Sequence, residues 1–298
     1  MSALRLLLAS SLAVSTFANA GTLEKVLESK NIVLGVRDSS APLSYTTGSG
    51  AYSGYHVELC EKLVDRLRRR LKLSTLPVKY VPVNSQNRIP LVTNGTVDLE
   101  CGSTTNNTAR QNDVAFAYTT YITEFRMATR ANSPIRSVSH LEGKKVATTT
   151  GSTSVQVLRK LKRSANMNFE ELFGKDHGES FLLLDTGRAD VMVMDDNILA
   201  GQIALSADPS AYRMVGEVLA VEPIAIMFRK GDAELKKFMD TELSSMMKSG
   251  EVAKLYDKWF VQPIPPRNVR VNLPLSASLH GALAEPNDNP AEAYPANK

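Results

Sequence analysis

Apolar positions along the chain change period repeatedly, and the changes outline an alternating α/β protein. Residues 22–30 read as a short helix. The apolar run Ile32-Val33-Leu34-Gly35-Val36, within 31–37, predicts a buried strand. A loop holding Ser39, Ser40, Pro42 and Tyr45 follows, then a turn at Gly48-Ser49-Gly50. From 55 to 73 apolar residues recur at helical spacing, the mark of an amphipathic helix. Residues 77–82 predict a strand, 84–94 a short helix ended by Gly95, and 96–101 another strand. The order βαβαβ implies a parallel sheet covered by helices on both faces.

A second unit repeats the pattern. Residues 144–150 predict a strand, Gly151-Ser152-Thr153-Ser154 opens a helix through Leu161, and 180–186 looks helical. Residues 190–194 predict a buried strand ended by Asp195-Asp196, and 197–206 a helix. Residues 222–229 read as a strand, followed by helices at 232–248 and 250–260. Beyond Val261 the chain is rich in Pro, Asn and Ala and is expected to pack little core of its own. The chain is expected to leave the first unit near 120–127 and to return near 220–224. Two such crossings would form a hinge between lobes, with the ligand in the cleft.

The first twenty residues read as an export signal rather than as fold. Arg5 supplies a positive start, Leu6 to Val14 is apolar, and Ala18-Asn19-Ala20 is a small-residue cleavage site before Gly21. The apolar run is too short to span a bilayer, and no later run approaches the ~18 apolar residues required, so a soluble exported protein is expected.

The net charge of +4 is spread out, and no basic stripe is interleaved with aromatics, so nucleic-acid binding is not expected. Arg66, Arg68, Arg69 and Arg70 fall at a helix end, where cations complement the dipole on a solvated face. The two cysteines, Cys60 and Cys101, have no metal-type spacing, and neither metal nor cofactor is expected. Cys60 shares a helical stripe with Val57, Leu63, Val64 and Leu67, and Cys101 shares a strand face with Val97 and Leu99. Both thiols point into the layer between helix and sheet, as a disulfide in an exported protein or as two buried thiols.

The chemistry collects after the strands. Arg37 follows the first, Ser85 and Arg88 the second, and Ser103, Thr104, Thr105 and Arg110 the third. Alternating α/β folds bind ligands at the carboxyl ends of strands. Three arginines there predict an anionic ligand, because guanidinium forks grip carboxylates and phosphates. Several hydroxyls, with His177 the only nearby histidine, fit recognition better than catalysis.

Longer stretches carry a family resemblance: Asn84-Ser85-Gln86-Asn87-Arg88-Ile89-Pro90, Glu100-Cys101-Gly102-Ser103-Thr104-Thr105-Asn106-Asn107, Lys175-Asp176-His177-Gly178, Arg188-Ala189-Asp190 leading to Met194-Asp195-Asp196, and Pro263-Ile264-Pro265-Pro266. In these the chain resembles the periplasmic solute-binding proteins of polar amino-acid ABC importers, bacterial solute-binding protein family 3, and its acidic-ligand branch. The resemblance implies a two-lobed α/β fold, the periplasmic binding protein type II fold, each lobe a mixed, mostly parallel sheet flanked by helices. Lobe one would comprise 21–124 and 222–265, lobe two 125–221, with 1–20 the signal peptide and 266–298 a tail. It implies that Arg110 clamps the ligand α-carboxylate, with Ser103 and Thr105 adding contacts. Asp195 would take the α-ammonium, Asp196 would cap the next helix, and Thr153 would lie at a helix N-terminus that attracts a carboxylate. Arg37, Ser85, Arg88 and His177 would bind a side-chain carboxylate. Cys60 departs from the family pattern.

The implied ligand is L-glutamate or L-aspartate. A neutral side chain would leave desolvated cations unpaired, at a cost of several kcal/mol. One methylene is worth only about 1–3 kcal/mol, so the two acids are not ranked. The implied function is capture in the periplasm, as a monomer, and delivery to an inner-membrane ABC permease that hydrolyses ATP elsewhere. Two alternatives use the same scaffold. One is an exported enzyme, such as a dehydratase, with His177 as its acid or base; the other is a sensor that reports occupancy to a membrane receptor.

Overall fold

The computed structural model describes residues 21–48 and 50–294. The export segment read at 1–20, and Ser49 of the expected turn, lie outside the described residues. Two sheets dominate. In the first, the strands run in the order Val78–Pro82, Ile32–Val36, Leu99–Glu100, Met227–Arg229, Val114–Phe116. The first three are parallel, and Met227–Arg229 runs antiparallel to both neighbours. Helix Tyr55–Arg70 buries Val57, Cys60, Leu63 and Leu67 against Leu34 and Leu99 of this sheet. Val92 of helix Arg88–Thr93 packs on the other face with Val83, Val97 and Phe116.

The second sheet runs Glu170–Gly174, Lys145–Thr149, Val191–Asp195, Tyr121–Arg130, Tyr212–Val215, with Val221–Ile224 pairing a further stretch of Tyr121–Arg130. Parallel pairing joins the first three, and antiparallel pairing surrounds Tyr121–Arg130. Both sheets are therefore mixed, with antiparallel pairs wherever a strand returns along the chain's crossing.

Several features differ from the sequence reading. The outward crossing near 120–127 is formed by a ten-residue strand, Tyr121–Arg130, where the sequence reading placed no element. Its buried threonines, Thr123 and Thr129, interrupt the apolar pattern that announces a strand. The single strand expected at 222–229 is two, because Val221–Ile224 belongs to the second sheet and Met227–Arg229 to the first. The return crossing thus lies between Ile224 and Met227, where Ile224 pairs with Tyr121 and the two crossing segments lie side by side. The edge strands Glu170–Gly174 and Tyr212–Val215 went unrecognised, being short and half-exposed.

The segment beyond Val261 packs more than its composition suggests. Ile264, Val271, Leu279 and Ala282 join the main core, and helix Ala277–Ala284 lies against helix Ala233–Lys248. Its backbone bonds to the first lobe, Thr119 N–H to the Asn287 carbonyl (2.8 Å) and Ala291 N–H to the Asn106 carbonyl (2.9 Å). These bonds need no side-chain pattern, so sequence periodicity does not reveal them.

Cys60 and Cys101 form a disulfide, with Cα atoms 6.3 Å apart. It ties the long helix to the strand end from which Gly102, Ser103, Thr104 and Thr105 emerge.

Candidate functional site

The cleft between the two sheets is built from strand ends. The Arg37 backbone, just past Ile32–Val36, is held by its N–H donating to Ser44 Oγ (2.9 Å). Its side chain is fully buried, and its guanidinium donates to Ser103 Oγ (3.0 Å) and Ser85 Oγ (3.2 Å). The loop after Val78–Pro82 bonds to itself, with the Asn84 side chain accepting from Gln86 N–H and Asn87 N–H. That turn delivers Ser85 and then Arg88, whose Nη1 donates to the Ser103 carbonyl (3.1 Å). His56 supports the third loop, its Nδ1–H reaching the Gly102 carbonyl (2.5 Å). Asn107 caps helix Thr108–Gln111 by accepting from Arg110 N–H (2.9 Å). This positions the Arg110 guanidinium, which donates to the Thr105 carbonyl (2.9 Å) and across the cleft to the Gly151 carbonyl (3.5 Å).

The second lobe contributes from the opposite wall. Asp176 caps helix His177–Asp185 by accepting from Glu179 N–H (2.8 Å), so the helix begins at His177, earlier than the sequence reading placed it. His177 Nδ1 lies 2.9 Å from Thr149 Oγ1, while Nε2 makes no hydrogen bond within the protein. Asp195 stands at the head of helix Asp196–Leu205 yet forms no side-chain cap, and its Oδ1 is also unpartnered. Asp196 is occupied structurally, its Oδ1 accepting from Tyr121 Oη, Thr123 Oγ1 and Asn197 N–H. Thr153 Oγ1 lies 3.4 Å from Thr105 Oγ1 of the other lobe and donates to Glu222 (2.7 Å).

The sequence-derived residues Arg37, Ser85, Arg88, Ser103, Thr105, Arg110, Thr153, His177 and Asp195 are thus drawn to one cleft. Two carboxylates there escaped the sequence reading. Glu100 is completely buried, and its Oε2 accepts from Thr104 Oγ1 (2.6 Å) while Oε1 has no partner. Its charge acts on both Arg37 and Arg88. The only hint was a charged residue at the end of an otherwise apolar strand. Glu222, in the return strand Val221–Ile224, is nearly buried beside Arg110.

Electrostatics divide the cleft. Burial, and then the neighbouring Arg88, lower Arg37 to about 10 and Arg110 to about 9. Burial also lowers Arg88, partly offset by Glu100 and Asp195. His177 is pushed well below the usual imidazole range by burial and by Arg37 and Arg88, so it sits at the cationic end as a neutral ring. Asp195 is raised well above the carboxylate range by burial and by Glu222, and Glu222 is raised by burial. One end of the cleft would be relieved by an anion, the other by a cation. Among the described residues, none of the three arginines has its ion pair within the protein; those pairs lie on other side chains.

The lobes touch, so the cleft is closed. Gln202 Nε2 donates to the Ser39 carbonyl (2.7 Å), and a Cβ added at Gly151 would meet the Ser85 carbonyl oxygen at 2.9 Å.

Two α/β lobes joined by paired crossings, with buried and unspent donors and acceptors between them, define a solute-binding protein of the type II periplasmic binding fold. The chain belongs to the bacterial extracellular solute-binding proteins, family 3, whose model matches residues 32–262. It is 43% identical over 273 residues to the L-glutamate/L-aspartate-binding protein of Pseudomonas aeruginosa, covering 91% of this chain and 90% of that one. It is 40% identical over 271 residues to the glutamate/aspartate import solute-binding protein of Escherichia coli, covering 91% and 90%. Among solved structures, it resembles an ancestral amino acid-binding protein that is a precursor of cyclohexadienyl dehydratase, with 26% identity, a TM-score of 0.70, and coverage of 80% of this chain and 99% of that one. An ancestral arginine-binding protein bound to glutamine gives 25% identity and a TM-score of 0.68, covering 78% and 98%. The chain is a solute-binding protein of this family, and these relatives are solute-binding proteins rather than enzymes, which speaks against the exported-dehydratase alternative. Among the described residues, no helix is long and apolar enough to cross a membrane.

Proposed function

We propose that the protein captures L-glutamate or L-aspartate between its lobes in the periplasm and delivers it, as a monomer, to an inner-membrane ABC permease. One observation carries this reading. Four buried polar atoms without a partner belong to the cleft side chains: Arg88 Nε, Glu100 Oε1, His177 Nε2 and Asp195 Oδ1. Buried polar atoms in native proteins are otherwise nearly always paired, so these call for a ligand with matching groups. The side-chain carboxylate would lie among Arg37, Arg88, Ser85 and the neutral His177 ring, whose Nε2 can donate. The α-carboxylate would pair with Arg110, and the α-ammonium with Asp195. The names of the two bacterial relatives support the same ligands.

Glu100 refines the charge argument. Arg37 and Arg88 are partly balanced by this carboxylate, so the side-chain end carries an excess of one positive charge rather than two. One ligand carboxylate balances that excess, and an amide does not. Binding would begin on lobe one, and closure would add Thr153, His177 and Asp195, so the closed state is favoured by the contacts it alone provides.

Calorimetric titration of protein refolded free of carried-over ligand tests the reading. Tight binding of glutamate and aspartate with weak glutamine binding is expected. Preference for glutamine or a basic amino acid would overturn the assignment of Arg37, Arg88 and His177.

A further inference from the structure

The segment after helix Ala277–Ala284 is bound to the loop that anchors Arg110. At the junction is Asn106, which is completely buried and bonded through both its backbone and its side chain. Its N–H donates to the Pro223 carbonyl of the return strand (2.9 Å), and its own carbonyl accepts from Ala291 N–H (2.9 Å). Its Nδ2 donates to the Asp288 carbonyl (2.8 Å), and its Oδ1 accepts from Gln111 Nε2 (2.8 Å). The tail also reaches the next turn, where Glu292 Oε2 accepts from Thr108 N–H (3.1 Å) and from Thr108 Oγ1 (2.9 Å).

These bonds surround the groups that aim Arg110. The peptide unit between Thr105 and Asn106 carries the carbonyl that accepts from Arg110 Nη1 (2.9 Å) and the N–H that Pro223 holds. A planar peptide moves as one piece, so whatever fixes Asn106 also fixes the Thr105 carbonyl. On the other side of Asn106, the Asn107 side chain accepts from Arg110 N–H (2.9 Å). The guanidinium and the backbone of Arg110 are thus anchored by the two residues that flank Asn106, and the tail grips Asn106 itself.

We propose that the tail is part of the ligand site: through Ala291 and the Asp288 carbonyl it holds Asn106, and so sets the Arg110 guanidinium for the ligand α-carboxylate. Asn106 is a positioning residue that acts through Arg110. The tail lies beyond residues 32–262, which the family model matches, so affinity depends on a segment outside that core. The inference rests on the reading above that Arg110 holds the α-carboxylate.

Ala291→Pro tests it with little disturbance. Ala291 opens the single turn Ala291–Ala293, and Pro290 before it is extended, with ψ 164°, so the backbone accommodates a proline there. The substitution deletes the N–H given to Asn106 and changes no charge. Calorimetry with L-glutamate on the full protein should show a dissociation constant raised about 3- to 10-fold, the worth of one hydrogen bond. In an Arg110→Met background, followed by titration at millimolar glutamate, the same substitution should have no further effect, because no guanidinium remains to be aimed. An unchanged constant in Ala291→Pro would overturn the inference. So would an equal loss in the Arg110→Met background, since the tail would then act through general stability. Asn106→Ala removes the side-chain ties to Asp288 and Gln111 and should weaken glutamate about 10- to 100-fold, again only while Arg110 is present; it carries the test if Ala291→Pro does not fold. If Arg110→Met binds glutamate as tightly as the unsubstituted protein, the reading of Arg110 fails and the inference with it, an outcome distinct from a tail variant without effect.

Discussion

Gly201 sits in helix Asp196–Leu205 of the second lobe, facing the Ser39–Pro42 loop of the first. A Cβ at this position would stand 2.6 Å from the Ala41 carbonyl carbon, closer still to its oxygen, and 3.1 Å from the Ala41 Cβ. These are mostly backbone atoms of a buried residue, not the end of a flexible side chain, so neither neighbour can swing aside. Gly201→Ala thus sets two effects against each other. Within its own lobe, alanine favours the helix by about 1 kcal/mol over glycine. Across the cleft, the methyl group prevents the approach that the closed state requires. Overpacking of this kind costs about 1–3 kcal/mol, and here the cost falls on the closed state, where the lobes meet.

The expected result is a dissociation constant for glutamate raised about 5- to 150-fold, with the ligand-free melting temperature unchanged or slightly higher. Small-angle scattering at saturating glutamate should show a larger radius for the variant than for the unsubstituted protein. An affinity within twofold of the original would refute the claim that this contact belongs to closure. Equal loss of ligand-free stability would refute it differently, by showing that the contact persists when the lobes are apart.

Three further expectations follow from the same structure. Arg88→Gln should cost glutamate roughly 3–5 kcal/mol, two to three and a half decades in affinity, while glutamine loses much less; parallel weakening of both in calorimetry would contradict the charge assignment. Replacing both cysteines by alanine should destabilise the protein by about 4 kcal/mol in urea unfolding, because the disulfide closes a loop with a sequence separation of 41; a loss under 1 kcal/mol would mean that the loop is already ordered without it. Asp196, raised to about 6 mainly by burial, takes up its proton more readily folded than unfolded. Its stabilising contribution is therefore complete below about pH 4 and is lost as pH rises through 6. Asp196→Asn keeps an oxygen for Tyr121, Thr123 and Asn197, so it should gain about 3 kcal/mol over the original protein at pH 7 and nothing at pH 4. His56, lowered to about 4 by burial, contributes with the opposite sign over the same range, so the comparison must be between variant and original at each pH rather than along one pH curve.

What the sequence made legible was whatever repeats or is local. The first strand, the helix Tyr55–Arg70 and the strand Val191–Asp195 are long apolar or periodic runs, and their ends locate Arg37 and Asp195 directly. Arg88 and Arg110 stand just past strand ends within capped or self-bonded turns, so local signals place them as well. The crossing strands were not legible, because Tyr121–Arg130 and Val221–Ile224 are defined by each other: Thr123 pairs with Glu222, and neither looks like part of a strand alone. The tail is held by backbone bonds to Asn106 and Thr119, far away in sequence, and no periodicity records such bonds.

The carboxylates show why the site's chemistry is harder to read than its location. Counting Arg37, Arg88 and Arg110 as free cations points toward an acidic ligand, but the count omits charges that only the fold brings near. Glu100 reaches Arg37 because two parallel strands place Gly35 opposite Glu100, a pairing across 65 residues of chain. Glu222 reaches Arg110 because Ile224 of the return strand bridges to Thr105, in the loop that leads to Arg110. With both included, the cleft is no longer simply positive. It is polarised, with Arg37, Arg88 and His177 at one end and Asp195 and Glu222 at the other, and Arg110 lying between the negative groups and Arg88. A polarised cleft selects for the arrangement of charge along the ligand, which a net positive one cannot do. A dicarboxylate without an amine would satisfy the cationic end and leave Asp195 beside Glu222 uncompensated. A neutral amino acid would satisfy the acidic end and leave Arg37 and Arg88 in excess over Glu100. The expected ligand carries an ammonium at one end and a carboxylate at the other, which answers both demands.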